Sequence, residues 1–180
     1  MNPQTQAAYL AESLAELDRA LGHLVYSANA CADFSPNEPV PTEEALARIE
    51  AFTSRFARVV DLMSKRVLRA IDQFEMYEAG TLLDVANRAE KRGVIESVDW
   101  LRELKDTRNR ISHDYAGDRL PEILAYCREE LPRLLATCKR IKEYADTRLT
   151  KIGPGGLAPP TSLLQPEAIP SPPKGGALLP

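Results

Sequence analysis

The stretch TEEALARIEAFTSRFARVVDLMSKRVLRAI, Thr42 to Ile71, decides the fold class of this chain. Its apolar residues recur at steps of three and four, which is the rhythm of one face of an α-helix. They are Leu46, Ile49, Phe52, Phe56, Val59, Met63, Val67 and Ile71. Thr42 is a predicted N-cap, and the carboxylates of Glu43 and Glu44 oppose the positive end of the helix dipole. The stretch therefore predicts one long helix of about eight turns.

The same rhythm precedes and follows this stretch. A leucine stripe predicts a core-facing helix that reaches to about Cys31, and its members are Leu10, Leu14, Leu17, Leu21 and Leu24. The segment EAGTLLDVANRAEKRG predicts a shorter helix, capped near Thr81 and ended by Gly93. The segment VIESVDWLRELKDTRNRISH predicts a fourth helix with Ser97 as its N-cap.

The chain after this fourth helix is also predicted to be helical up to about residue 148. Pro121 and Pro132 each fit a first helical turn, so the region is either a short helix followed by a longer one or a single kinked helix. No segment has the alternating pattern of a strand. The predicted fold class is therefore all-α, an antiparallel bundle of four to five helices.

Composition divides the chain into two parts. Residues 153–180 contain five glycines, eight prolines and only two charged side chains. Such a segment has too little apolar surface to build a packed core, so a disordered tail is expected there. We assign residues 1–152 to one helical domain, which is long enough for a core of its own.

The N-terminal residues lack the charged start and apolar run of a signal peptide, and no run of about 18 apolar residues could span a bilayer. A soluble, cytoplasmic protein with no membrane partner is expected. Three cysteines without CxxC spacing argue against a disulfide framework and a zinc site. Cys127 and Cys138 are predicted to be buried thiols, and no cofactor is expected.

Basic residues are concentrated in one part of the long helix, although the net charge is −3. Between residues 54 and 69 a single acid, Asp61, faces five basic side chains: Arg55, Arg58, Lys65, Arg66 and Arg69. This run is compatible with a local surface that attracts phosphate. A solvated helix face is the more usual state of such a run.

The chemistry of the chain is concentrated in DTRNRISHDY, Asp106 to Tyr115. The chain has no Gly-rich phosphate loop, HExxH or GxSxG motif, and only two histidines, so metal-free chemistry is expected. Arg108 is suited to stabilise phosphoryl oxygens, and His113 is suited to transfer protons near neutral pH. RNA supplies its own nucleophile, the 2′-hydroxyl. Cleavage then needs one base and one acid, so a two-fold dimer would supply the second histidine.

The spacing of the two residues constrains this site. Positions five apart on a continuous helix diverge by about 140° around its axis. Arg108 and His113 can therefore converge only if the helix ends or distorts between them, or if one of them completes the site of a partner subunit. Asn109 lies four residues before His113, where it could orient the imidazole or bond a phosphate oxygen.

The segment RNRISHDY resembles the motif of the HEPN ribonucleases, in particular the HepT-like toxins that pair with MNT-type nucleotidyltransferase antitoxins. That pattern is arginine, a polar residue, three variable residues, histidine, any residue and tyrosine. The resemblance extends to the order of helices over about residues 8–148. It implies an all-helical homodimer with an RNA cleft at its interface, metal-independent cleavage and a toxin role. It also implies that the partner enzyme attaches AMP to Tyr115 and so silences the toxin.

We therefore expect Arg108 and His113 to be catalytic, Asn109 to assist them, and Tyr115 to accept AMP. Arg110 and Ser112 are candidates for a supporting role in RNA binding, although solvation is the simpler state for both.

Other interpretations stay open. Arg108 could form a surface ion pair with Asp106 or Glu103, His113 could cap its helix, and Tyr115 could be a half-buried anchor. The chain could also be a non-catalytic module that presents substrate to a separate nucleotidyltransferase, or scaffolds it. A third interpretation is a helical dimer whose motif only stabilises the fold.

Overall fold

The computed structural model describes residues 2–35, 42–113 and 119–150, with Ser112 and His113 described as backbone only. Its helices are α1 (Pro3–Ala30), α2 (Glu43–Asp61), a π-helical segment (Leu62–Val67), α3 (Leu68–Phe74), α4 (Leu82–Lys91), α5 (Val98–His113) and α6 (Leu120–Thr150). The described ranges contain no strand, which confirms the all-α prediction. The predicted tail, residues 153–180, lies outside the described residues.

The predicted helix boundaries are confirmed by their capping hydrogen bonds. The Thr42 hydroxyl accepts from the Ala45 amide at 3.1 Å, and the Ser97 hydroxyl accepts from the Trp100 amide at 3.1 Å. Thr81 and Asp84 form a capping box at the start of α4. Gly93 has φ 72°, the left-handed conformation that glycine adopts after a helix.

The α2–π–α3 rod is continuous, and contacts along it show how the other helices run. Arg55 bonds the Ser27 hydroxyl, whereas Arg66, further along the rod, reaches Ser13, earlier in α1, so the rod is antiparallel to α1. Cys31 and Asp18 contact Arg128 and Lys142 respectively, so α6 is antiparallel to α1.

Contacts between α5 and α6 have the same sense. The Trp100 indole donates to Glu130 at 2.7 Å, and the Arg110 guanidinium lies over the Tyr126 ring. Residues later in α5 therefore contact residues earlier in α6, so these two helices are antiparallel. The predicted antiparallel arrangement is thus present among these described helices.

The core lies between α1, the rod, α5 and α6. Phe52 and Phe56 are fully buried at its centre, and four of the five stripe leucines of α1 are buried with them. Cys127 and Cys138 are buried as predicted, and burial raises the pKa of each thiol to about 12. Apolar burial of this extent is the main favourable term holding the helices together.

The last helix runs unbroken through Pro132. A proline inside a helix removes one backbone hydrogen bond. Buried residues on both sides of it, including Leu124 and Cys127 before and Leu134 and Cys138 after, keep the two halves against the same core. Of the two predicted alternatives, the single helix is the one present.

Three arginines of the rod's basic run, Arg55, Arg66 and Arg69, bond groups elsewhere in the protein. The Arg66 guanidinium pairs with Glu16 and lies 3.5 Å from the carboxylate of Glu12. Arg69 donates to the Gly80 carbonyl at 3.0 Å, and Arg55 donates to the His23 carbonyl at 3.3 Å. These three side chains join the rod to its neighbours, so the run is not a wholly solvated face, and a local phosphate-attracting surface stays a prediction for its remaining basic residues.

Among the ranges that the structure describes, no helix combines the length and the apolar character needed to cross a membrane.

Candidate functional site around Arg108

Arg108 lies on α5 and is held against the end of α2. Its Nε and Nη2 both donate to Oδ2 of Asp61, at 2.8 Å and 2.6 Å. The Arg108 and Asp61 side chains are 28% and 25% exposed, so the pair lies at the protein surface but is partly shielded from water. Two bonds from one edge of the guanidinium fix its plane as well as its position. The motif arginine is therefore pre-positioned by a residue far away in sequence.

Asp61 also pairs with Lys65, whose Nζ lies 2.8 Å from Oδ1. Burial disfavours the ionised carboxylate, but hydrogen bonds from Lys65 and Arg108 outweigh burial and hold the Asp61 pKa below its ordinary value. The stabilisation from these pairs is present above the ordinary pKa and is lost as the pH falls through the lowered one. At neutral pH Asp61 is an anion.

A second lysine, Lys105, lies one helical turn before Arg108. Burial lowers its pKa, and the nearby charge of Lys65 lowers it further. We call Asp61, Lys65, Lys105 and Arg108 the Asp61 cluster. Lys65 and Arg108 bond Asp61 directly, and Lys105 lies close enough to feel the charges of Asp61 and of the neighbouring Asp106.

The π-helical segment begins immediately after Asp61. A π-helix has a wider turn than an α-helix, and such insertions are frequent at functional sites. The buried Ser64 hydroxyl donates to the Val60 carbonyl at 2.7 Å, which gives this segment a side-chain bond to its own backbone. Asp61 directly precedes the wider turn, and Lys65 lies within it.

Two of the predicted supporting residues are described beside Arg108. Asn109 is exposed, and its side-chain oxygen lies 3.4 Å from Nη1 of Arg108. Arg110 donates to the Thr107 hydroxyl at 2.7 Å and faces the Tyr126 ring at 6.0 Å. Arg110 thus contacts Thr107 and Tyr126 of the same chain, whereas Asn109 lies directly next to the motif arginine.

The backbone of α5 is helical through His113. Because α5 continues from residue 108 to residue 113, these two backbone positions lie about 140° apart around the helix axis. No helix end or distortion between them brings them together within one chain, and a site completed by a partner subunit stays a prediction. The side chains of Ser112 and His113, and Tyr115 altogether, lie outside the described residues.

Sequence reasoning missed the partner of Arg108. It considered Asp106 and Glu103, two and five residues away on the same helix, whereas Asp61 lies 47 residues earlier in the chain. Asp61 did stand out as the only acid within the basic run of residues 54–69, and that was the available signal.

Comparisons with known proteins give no match for this chain: none among models of protein families, curated proteins or solved structures. Within the described ranges, no three histidine, cysteine, aspartate or glutamate side chains form a group able to hold a metal ion.

Proposed function

We propose that this chain is a metal-independent RNA endonuclease that acts as a homodimer and is the toxin of a toxin–antitoxin pair. The observation that carries the proposal is the placement of Arg108, the first residue of RNRISHDY, which donates two hydrogen bonds to one oxygen of Asp61 within the Asp61 cluster. A fixed guanidinium with two lysines beside it suits the binding of an RNA phosphate.

The proposed reaction uses the two subunits in turn. One His113 removes the proton of the 2′-hydroxyl, and the resulting oxygen attacks the adjacent phosphorus. The bond from phosphorus to the 5′-oxygen breaks, and the protonated His113 of the other subunit gives its proton to that oxygen. The products are a 2′,3′-cyclic phosphate and a 5′-hydroxyl. Arg108 stabilises the negative charge that builds on the phosphoryl oxygens.

The neighbours of Arg108 have distinct roles in this proposal. Asp61 is a positioning residue, because it touches Arg108 and carries a charge that would repel RNA. Lys65 and Lys105 contribute to the attraction of the phosphate backbone. Asn109 assists at the phosphate, whereas Arg110 and Ser112 are secondary candidates for RNA binding.

The contact between Arg108 and Asp61 also favours a second candidate. The pair ties α5 to the rod, as expected if the motif only supported the fold of a binding or scaffold subunit for a nucleotidyltransferase. The two candidates differ in what the loss of Arg108 removes. Catalysis predicts a loss of rate in a folded protein, and a structural role predicts a loss of folding.

The test of the proposal is RNA cleavage by purified protein in EDTA. We expect cleavage to proceed and to leave a 2′,3′-cyclic phosphate, because the proposed steps need only the 2′-hydroxyl, His113 and Arg108. Mass spectrometry of the products identifies the cyclic end. An absolute requirement for Mg²⁺, or products with a 3′-hydroxyl, would contradict the mechanism.

A further prediction concerns silencing by an MNT-type nucleotidyltransferase. AMP on Tyr115 would add bulk and a negative phosphate close to His113, which excludes RNA by steric hindrance and like-charge repulsion. We expect Tyr115→Phe to remain toxic when the nucleotidyltransferase is co-expressed, whereas the parent is silenced and gains the mass of one AMP. Tyr26→Phe, at an exposed tyrosine of α1, is the matched control and should be silenced like the parent. Silencing of Tyr115→Phe would sink this assignment.

A further inference from the structure

A second polar site lies where α3, α4 and α6 meet, away from the Asp61 cluster. It is a surface pocket of about 420 Å³, the size range of small-molecule sites. We call it the tyrosine–arginine pocket. Its lining includes four cationic and two aromatic side chains: Arg88, Lys91, Arg92, Arg148, Tyr77 and Tyr144.

The charges of the pocket do not balance. Asp72 takes bonds from Arg88 at 2.7 Å and from Arg92 at 2.7 Å. Glu75 pairs with Arg92 at 2.8 Å and with Arg148 at 3.2 Å. All four carboxylate oxygens are therefore engaged. Asp84 also interacts with Arg88, so three acids against four cations leave one positive charge unmatched. A phosphate monoester carries close to two negative charges at neutral pH.

Arg92 is the most enclosed cation of the pocket. Its side chain is only 8% exposed, and its Nη2 lies 2.7 Å from Asp72 and 2.8 Å from Glu75. Bonds to two carboxylates hold the guanidinium in place, so an anion in the pocket would meet a cation whose position is fixed.

Tyr77 gives the pocket an aromatic wall. Its side chain remains half exposed, and the guanidinium groups of Arg88 and Arg92 lie 5.3 Å and 5.1 Å from its ring centre. The preceding residue, Met76, has φ 62°, a conformation that costs a residue other than glycine about 1 kcal/mol or more. This strained turn places Tyr77 beside the cations, where an aromatic ring can stack a base.

We propose that the tyrosine–arginine pocket binds a nucleoside monophosphate. The phosphate lies among Lys91, Arg92 and Arg148, and the base stacks on Tyr77. The pocket volume suits one nucleotide, and the aromatic wall favours a nucleotide over inorganic phosphate. This site uses none of the residues assigned to RNA cleavage, so it stands whether or not the chain is a ribonuclease.

The test is calorimetric titration of the full chain at low salt with AMP, inorganic phosphate and adenosine. AMP is expected to bind most tightly, phosphate more weakly and adenosine least. The key variant is Lys91→Glu, because Lys91 is exposed and no ion pair within the described ranges depends on it. Lys139→Glu is the matched control, a charge reversal on the exposed face of α6 outside the pocket lining.

Lys91→Glu should weaken both AMP and phosphate about tenfold, and Lys139→Glu less than about twofold. Tyr77→Leu should weaken AMP about fivefold and leave phosphate unchanged, since it removes only the stacking surface. Equal losses from the two lysine variants would show diffuse attraction and overturn the proposal. It is also overturned if AMP fails to bind at about 10 mM, if adenosine binds as tightly as AMP, or if Tyr77→Leu leaves AMP binding unchanged.

Discussion

His113→Ala is expected to reduce RNA cleavage by about 10²–10⁴-fold, because it removes the group that transfers protons to and from the reacting oxygens. Arg108→Ala should cause a loss of at least similar size by removing charge stabilisation of the phosphoryl oxygens. The measurement is the cleavage rate of purified protein in EDTA. In cells, the parent expressed alone should arrest growth, and both variants should abolish that arrest.

Two controls use residues of the same type. His23, the only other histidine, is exposed on α1, and Arg102 is exposed on α5 in a surface pair with Asp99. Alanine at either position should leave the rate and the arrest unchanged. Circular dichroism and light scattering should show that Arg108→Ala and His113→Ala remain folded dimers. If His113→Ala is as active and as toxic as the parent, the ribonuclease proposal is wrong.

Mixing subunits tests whether both histidines serve one site. If each active dimer needs two intact His113 side chains, equal mixing of parent and His113→Ala subunits should leave about one quarter of the parental activity. A site contained within one subunit would leave about one half. The helical geometry of α5 favours the first outcome, since positions 108 and 113 diverge on a single chain.

Asp72→Ala is expected to lower the free energy of unfolding by about 3–5 kcal/mol, which is typical when one partner of a buried charge network is removed. The Asp72 side chain is 5% exposed and accepts from Arg88 Nε at 2.8 Å and Nη2 at 2.7 Å. It also pairs with Arg92, so its loss removes an acceptor from two guanidinium groups, of which Arg92 keeps its pair with Glu75. Urea unfolding measures the change.

The control for this prediction is Asp99→Ala. Asp99 pairs with Arg102 at 3.1 Å, but both side chains are largely exposed to solvent, so the expected cost is below about 1 kcal/mol. Equal costs for the two substitutions would mean that the Asp72 network is as well solvated as a surface pair.

Local patterns predicted the helices and their caps because these depend on residues within one or two turns. Thr42, Thr81 and Ser97 each bond an amide three residues away, and the capping signal is contained in the sequence itself. The contact between Arg108 and Asp61 depends on how α5 packs on the rod. A pattern read along one helix carries no information about that packing.

The π-helical segment was not predicted, although its signal is present. The buried residues Val59, Met63, Val67 and Ile71 follow three successive steps of four. Twelve residues of ideal α-helix overshoot three turns by about 120°, so the first and last of these side chains would lie about 120° apart around the axis. A wider turn between Leu62 and Val67 takes up this excess. Apolar residues that recur at several successive steps of four, with no step of three between them, are therefore the sequence pattern that indicates a π-helical segment.

The tyrosine–arginine pocket was missed for a similar reason. Arg88 and Arg92 are four apart and share one face of α4, which is visible in the sequence. Their acids come from the end of the rod, and Arg148 comes from the end of α6. Only the folded chain brings these three segments together.

The buried cysteines determine how this protein responds to oxidants and alkylating reagents. The reactive form of cysteine is the thiolate, and with a pKa of about 12 Cys127 and Cys138 hold almost none of it at neutral pH. Cys31 is also fully buried, with a raised pKa. Folded chains thus present no nucleophilic sulfur from these residues, and modification proceeds only through molecules that have opened. The rate at which the thiols are consumed is therefore a measure of how often the helices separate.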